Sequence, residues 1–183
     1  MAFILQLVGP PASGKRTIGA LVAERTGAAL VDNHLINDPV FTALGVNGLG
    51  SLHPQALPMA GRVRKIVHEA VLAAPPETSH IFTSWLVDTP EDAAAFEGIR
   101  KLAADRGARF HAVWLRCAPA EIGRRLTLPD RAVRNKLRDP SKLDHVLSLG
   151  VAPAAEDALQ LDTTTTPAAQ TADRIVEWLD GRH

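Results

Sequence analysis

A single cysteine, Cys117, stands in 183 residues, which excludes an intramolecular disulfide framework and a Cys-cluster zinc site. There is no surplus of charge of either sign. The 20 Lys and Arg balance the 20 Asp and Glu, whereas a general binder of nucleic acid or membrane surfaces carries a basic excess. No apolar run reaches the roughly 18 residues a membrane span needs. The short one at residues 3–8 has no basic segment before it and no small-residue cleavage site after it. These absences predict a cytoplasmic protein that binds neither nucleic acid nor membrane. The composition, 46% hydrophobic and 22% charged, is that of an ordinary globular chain. Its length predicts one domain over residues 1–183, large enough to bury roughly 70% of its unfolded surface.

What the chain has in quantity is alternation. The apolar run over residues 3–8 ends at Gly9, and beyond a Pro- and Gly-containing turn Ile18, Leu21 and Val22 recur at helical spacing up to Gly27. That pattern predicts strand, glycine loop, helix. A second strand fits residues 28–32, with NHLIND as its exit loop, and the stretch 44–58 holds three glycines and two prolines, a composition that resists regular structure. Val63, Ile66, Val67, Ala70 and Val71 then mark one face of a helix, with Arg62, Arg64, Lys65 and Glu69 on the other. IFTSWLV at residues 81–87 reads as a strand, and Thr89-Pro90-Glu91-Asp92 as an N-cap, a proline at the first helical position and an acidic first turn. Further strands fit 110–117 and 158–162, with helices beginning at Pro119 and after Thr166-Pro167. Strands alternating with helices predict an α/β architecture: βαβ crossovers, a parallel sheet, helices on both faces, and ligands at the carboxyl ends of the strands.

Between the first strand and first helix lies GPPASGKRT, in which Gly9, Gly14 and Lys15 match the spacing G-x-x-x-x-G-K of a phosphate-binding loop. Glycines let the backbone curl so that successive N–H groups point at phosphate oxygens, and the helix amino end adds partial positive charge. On this reading Gly9, Pro11, Ala12, Ser13, Gly14, Lys15, Arg16 and Thr17 surround ATP, with Lys15 reaching the β and γ phosphates. The pattern departs from its usual form at one place. Where a Ser or Thr hydroxyl normally binds Mg2+, the chain has Arg16, with Thr17 next. Either Thr17 holds the metal through water, or Arg16 takes over part of its charge-neutralising work.

Other residues join this list by position. Asp32 closes the second strand, at the sheet end that faces the loop. A carboxylate there can accept an acceptor's proton or hold Mg2+ through water, or simply belong to an Asp-Asn turn. Asn33 and His34 share that loop as acceptor contacts, and Thr83 stands near the end of the third strand. Asp88 follows IFTSWLV as a magnesium-holding aspartate would, but the favoured reading ends the strand near Ser84, which makes Asp88 only the residue before the capping Thr89 and leaves Thr83 and Ser84 at the strand end near the γ phosphate. Between Arg124 and Arg138 six basic residues, Arg124, Arg125, Arg131, Arg134, Lys136 and Arg138, meet one acid, Asp130, without the interleaved aromatics of single-strand binders.

GPPASGKRT, VDNH after the second strand, the arginine-rich RRLTLPDRAVRNKLRDP and the terminal LDTTTTPAAQTADRIV together make the chain resemble the P-loop small-molecule kinases. These are the shikimate, gluconate and nucleoside-monophosphate kinases, and more loosely the P-loop resistance proteins. The resemblance implies a three-layer P-loop NTPase fold with a five-stranded parallel sheet in the order 2-3-1-4-5. It also implies a substrate-binding insertion about residues 33–75 and a lid about 127–140. It further implies that Arg125, Arg131 and Arg134 clamp the transferring phosphoryl group, that Asp162 and Thr163 sit by the adenine, and that Arg62 and Arg64 meet an anionic acceptor or are plain solvated charge. The activity implied is ATP-dependent phosphoryl transfer to a small-molecule hydroxyl by a monomer or homodimer. The alternative is a nucleotide-binding resistance or regulatory protein with little transfer, which Arg16 favours.

Overall fold

Strand β1 (Phe3–Val8) is buried along its whole length and sits at the centre of a parallel sheet ordered β2-β3-β1-β4-β5, the order the resemblance implies. The coordinates are a computed structural model that describes residues 1–46, 52–128 and 143–181. The remaining strands are β2 (Ala29–Val31), β3 (His80–Ser84), β4 (Arg109–Arg116) and β5 (Leu159–Asp162). Leu5 of β1 pairs with Ile81 on one side and His111 on the other. No helix among the described residues is long and apolar enough to cross a membrane.

Successive side chains on a strand point to opposite faces, so β1 feeds two cores. Phe3, Leu5 and Leu7 pack with Ile18 and Val22 of α1 (Lys15–Thr26) and with Ala172, Ile175 and Leu179 of α7 (Ala168–Asp180). On the opposite face Ile4 and Phe82 meet Val71 of α3 (Ala56–Ala73) and Ile99, Leu102 and Ala103 of α4 (Pro90–Asp105). Short helices α5 (Pro119–Leu126) and α6 (Leu143–Leu149) complete the described elements together with α2 (Asn33–Ala43).

Three local expectations need correction. The NHLIND loop is helix α2, with Asp32 at its N-cap position and Pro39 inside it. Proline removes one helical donor, yet Ile36, Val40 and Phe41 bury together with Asn37, and that packing carries the helix through. The stretch 44–58 is also partly helical, because α3 begins at Ala56. Helix α3 is rotated from the face its apolar residues suggested. Ala56, Ala60 and Val71 are its buried residues, Ile66 is 64% exposed, and Arg64 is half-buried. Strand β3 ends at Ser84, the end that the reading of Asp88 as the residue before the cap requires. The Ser84 carbonyl accepts the Gly9 N–H at 3.2 Å, and that of Leu86 is taken by Ala152 N–H at 2.9 Å, so the chain has left the sheet.

Candidate active site

The phosphate loop is shaped by contacts that only small residues permit. A side chain on Gly9 would lie 2.7 Å from the Leu115 carbonyl oxygen and 2.9 Å from Ser13 Oγ, so the loop can follow β1 this closely only with glycine there. Ala12 at φ 63° and Gly14 at φ 89° are both left-handed, and they curl the loop into the amino end of α1. That end has no side-chain cap, which leaves first-turn N–H groups to serve a ligand. Lys15 folds back over the loop and donates through Nζ to the carbonyls of Gly9 and Pro10, each at 2.7 Å.

Facing the loop, Asp32 is 3% exposed. Thr83 Oγ1 donates to Asp32 Oδ1 at 2.7 Å while accepting the Asn33 N–H at 2.9 Å, so the Thr83 proton and the carboxylate orientation are both fixed. Asp32 Oδ2 has no hydrogen-bond partner. Its counter-charge is Arg16, whose Nε lies 3.4 Å away. His34 Nδ1 stands 3.1 Å from Asp38 Oδ1, and Asn33 Oδ1 accepts from Arg64 Nη2 at 3.4 Å. Burial lowers the Arg64 pKa, opposed by the Asp92 carboxylate.

At the other end Arg125 ties three elements together. It donates to Glu121 Oε1 at 2.6 Å, to the Thr163 carbonyl at 2.6 Å and to the Ala12 carbonyl at 3.4 Å. Thr163 Oγ1 lies 3.0 Å from the Ser13 carbonyl and 2.9 Å from that of Arg116, binding the exit of β5 to the loop. Hydrogen bonds from Arg124 and Arg125 hold the Glu121 carboxyl down to about 2. Its folded pKa is thus below the unfolded value of about 4.3, so its contribution to stability is present above that value and lost as pH falls through about 2. A Glu121→Gln variant should therefore melt below the wild type at neutral pH and converge with it on acidification toward pH ~2. Thermal melts across that range check this, and a constant difference would reject it.

These parts enclose one cleft of about 410 Å³, lined by the loop, Asp32, Asn33, His34, Thr83 and Arg125. No protein-family model matches the chain, and neither does any curated protein. Solved structures do match along the whole length. A protein from Chloroflexus aurantiacus, provisionally called a kinase, is 19% identical with a TM-score of 0.68, covering 100% of this chain and 98% of its own. A gluconokinase from Sinorhizobium meliloti is 16% identical, with a TM-score of 0.60 and coverage of 100% and 98%. A shikimate kinase from Acinetobacter baumannii is 18% identical, with a TM-score of 0.60 and coverage of 99% and 94%. This is the P-loop kinase fold.

In a P-loop kinase fold the cleft lies where the doubly wound topology puts ligands, at the carboxyl ends of the strands. The structure brings Pro11, Ala12, Ser13, Gly14, Lys15, Arg16 and Thr17 to it, with Thr17 at its exposed mouth. It does not bring Arg62 or Asp162. Arg62 is exposed on α3, and the Asp162 carboxylate accepts the Thr164 N–H at 2.7 Å, the work of a turn aspartate. Arg64 lies behind Asn33 rather than on the solvated face. Arg131 and Arg134, with residues 129–140 of the expected lid, fall outside the described residues. Two aromatic lining residues, Phe41 and Trp85, were not anticipated. Phe41 lies in the second half of α2, whose first half reads as a loop in the sequence, and Trp85 lies just past the end of β3. Trp85 is held from outside the cleft, its Nε1 donating to the Gly150 carbonyl at 3.1 Å.

At the place where the usual pattern binds magnesium, the side chains present form an ion pair. The place of the hydroxyl ligand belongs to Arg16, and the carboxylate expected to help is already paired with its guanidinium. The nearest hydroxyl in the chain, Thr17, stands one residue further on at the exposed mouth of the cleft.

Proposed function

We propose that the protein is an ATP-dependent kinase that moves the γ-phosphoryl group onto the hydroxyl of a small molecule. The observation that carries this reading is the arrangement of the cleft: a phosphate loop with its lysine on one side, and on the other a buried carboxylate with one oxygen free of hydrogen bonds. In this role Lys15 and the loop amides hold the β and γ phosphates, and Arg125 keeps the loop and the β5 exit in register around the nucleotide. Asn33, His34 and Thr83 border the acceptor, and Arg64 stiffens Asn33. The acceptor oxygen attacks the γ phosphorus, the bond to the bridging oxygen breaks to leave ADP, and the acceptor proton passes to Asp32 Oδ2. Such chemistry is mostly positioning and electrostatics, which fits a site built on fixed backbone contacts.

A second reading, a nucleotide-binding resistance or regulatory protein with little transfer, is favoured by the Arg16–Asp32 pair, which engages the proposed base. A coupled assay for ADP release, run with a panel of sugars, hydroxy acids, nucleosides and antibiotics, separates the two. Release stimulated by one acceptor class is the result expected of a kinase. Nucleotide binding without acceptor-stimulated release from any of them supports the second reading.

A further inference from the structure

In the common pattern G-x-x-x-x-G-K-S/T the residue directly after the lysine carries the hydroxyl that binds magnesium. Arg16 occupies that position on the first turn of α1, and in the cleft its Nε lies 3.4 Å from Asp32 Oδ2. The pair is unequal, because the Arg16 side chain is 42% exposed and that of Asp32 only 5%. Asp32 is pinned through Oδ1 by Thr83, so of the two only Arg16 is placed to swing. A divalent cation seated against Asp32 Oδ2 would lie beside a guanidinium that does not deprotonate in proteins, and the two like charges would repel in a partly water-excluded cleft.

We infer that Arg16 is itself the phosphate-neutralising group of this site, delivering to the nucleotide the positive charge that a loop-held magnesium delivers in the usual pattern, so that nucleotide binding depends little on divalent cation. The inference rests on the kinase reading of the cleft and adds a binding residue to it. A guanidinium suits the task because its planar fork meets phosphate oxygens two at a time. Its departure from Asp32 also has a consequence for chemistry. Oδ2, the buried oxygen without a hydrogen bond, loses its counter-charge as the phosphates gain one, so the carboxylate becomes available to an acceptor hydroxyl only once nucleotide is in place.

The test is calorimetric titration of the full chain with a non-hydrolysable ATP analogue, in excess magnesium and in excess EDTA. Wild-type affinity should change by less than about threefold between the two, well under the tenfold that 1.4 kcal/mol represents. Arg16→Thr, which restores the hydroxyl, should weaken binding roughly tenfold in EDTA and recover with magnesium. Asp32→Asn, which frees the guanidinium, should bind in EDTA at least as tightly as the wild type. A wild type that loses tenfold or more without magnesium overturns the inference and leaves the nucleotide reading standing, as does Arg16→Thr with undiminished affinity in EDTA. No binding in either condition overturns both. If Arg16→Thr fails to fold by circular dichroism, the wild-type comparison and Arg16→Gln, which keeps a polar chain without charge, decide by the same criteria.

Discussion

Replacing Lys15 by Ala is expected to remove almost all of the rise in melting temperature that ATP gives the wild-type protein. The ammonium donates to the Gly9 and Pro10 carbonyls at 2.7 Å each, so it already lies over the mouth of the loop. Phosphate oxygens entering there meet the cation directly. Hydrogen bonds to charged groups contribute about 1.5–3 kcal/mol each, and losing two of them weakens binding by roughly 10²-fold or more. At ATP one hundred times above the wild-type Kd, ligand linkage stabilises by ~2.7 kcal/mol. For a chain of this size that corresponds to roughly 5–11 °C. A hundredfold weaker variant under the same conditions keeps about 0.4 kcal/mol, a shift of roughly 1–2 °C. Each protein is compared with its own nucleotide-free melt, because Lys15→Ala also removes two contacts that brace the empty loop. A shift of undiminished size would mean that ATP binds elsewhere.

The loop was readable in the sequence because its geometry is local. Gly9, Gly14 and Lys15 stand at a spacing whose meaning depends on a few neighbouring dihedrals and on one strand and one helix. Asp32 was readable for a related reason, since the end of a parallel strand beside the loop is set by topology. What escaped was decided by contacts distant in sequence. The Arg16–Asp32 pair requires β2 and α1 to be packed together before either residue has a partner. The inward turn of Arg64 follows from the face on which α3 packs, and its buried Ala56 and Ala60 give little hydropathy contrast against an exposed Ile66 on the same helix. In IFTSWLV the apolar residues resume at Trp85 after Thr83 and Ser84, so hydropathy alone does not mark the strand end. The strand ends early only because the Leu86 carbonyl finds the N–H of Ala152 and the Trp85 indole finds the Gly150 carbonyl. The Asp-Asn pair argued for a turn, and the burial of Ile36, Val40 and Phe41 prevailed.

Asp32→Asn should lower acceptor-stimulated turnover by roughly 10²-fold or more, the range expected when a positioned general base is lost, while nucleotide affinity survives. The substitution is nearly isosteric, and the amide oxygen can still accept from Thr83, whose hydroxyl lies 2.7 Å from Oδ1. The amide nitrogen then takes the place of Oδ2. It can donate but cannot receive the acceptor's proton, and it faces Arg16 donor to donor, so the guanidinium is released toward the phosphates. Binding and chemistry should separate for that reason: ATP still raises the melting temperature, and the loss appears in kcat rather than in the KM for ATP. A merely structural Asp32 predicts the reverse, a lower melting temperature without nucleotide and turnover per folded molecule close to wild type. Measuring both quantities on one preparation distinguishes the two. Unchanged turnover with a verified acceptor would leave Asp32 as the orienting partner of Thr83 and place the base elsewhere in the cleft.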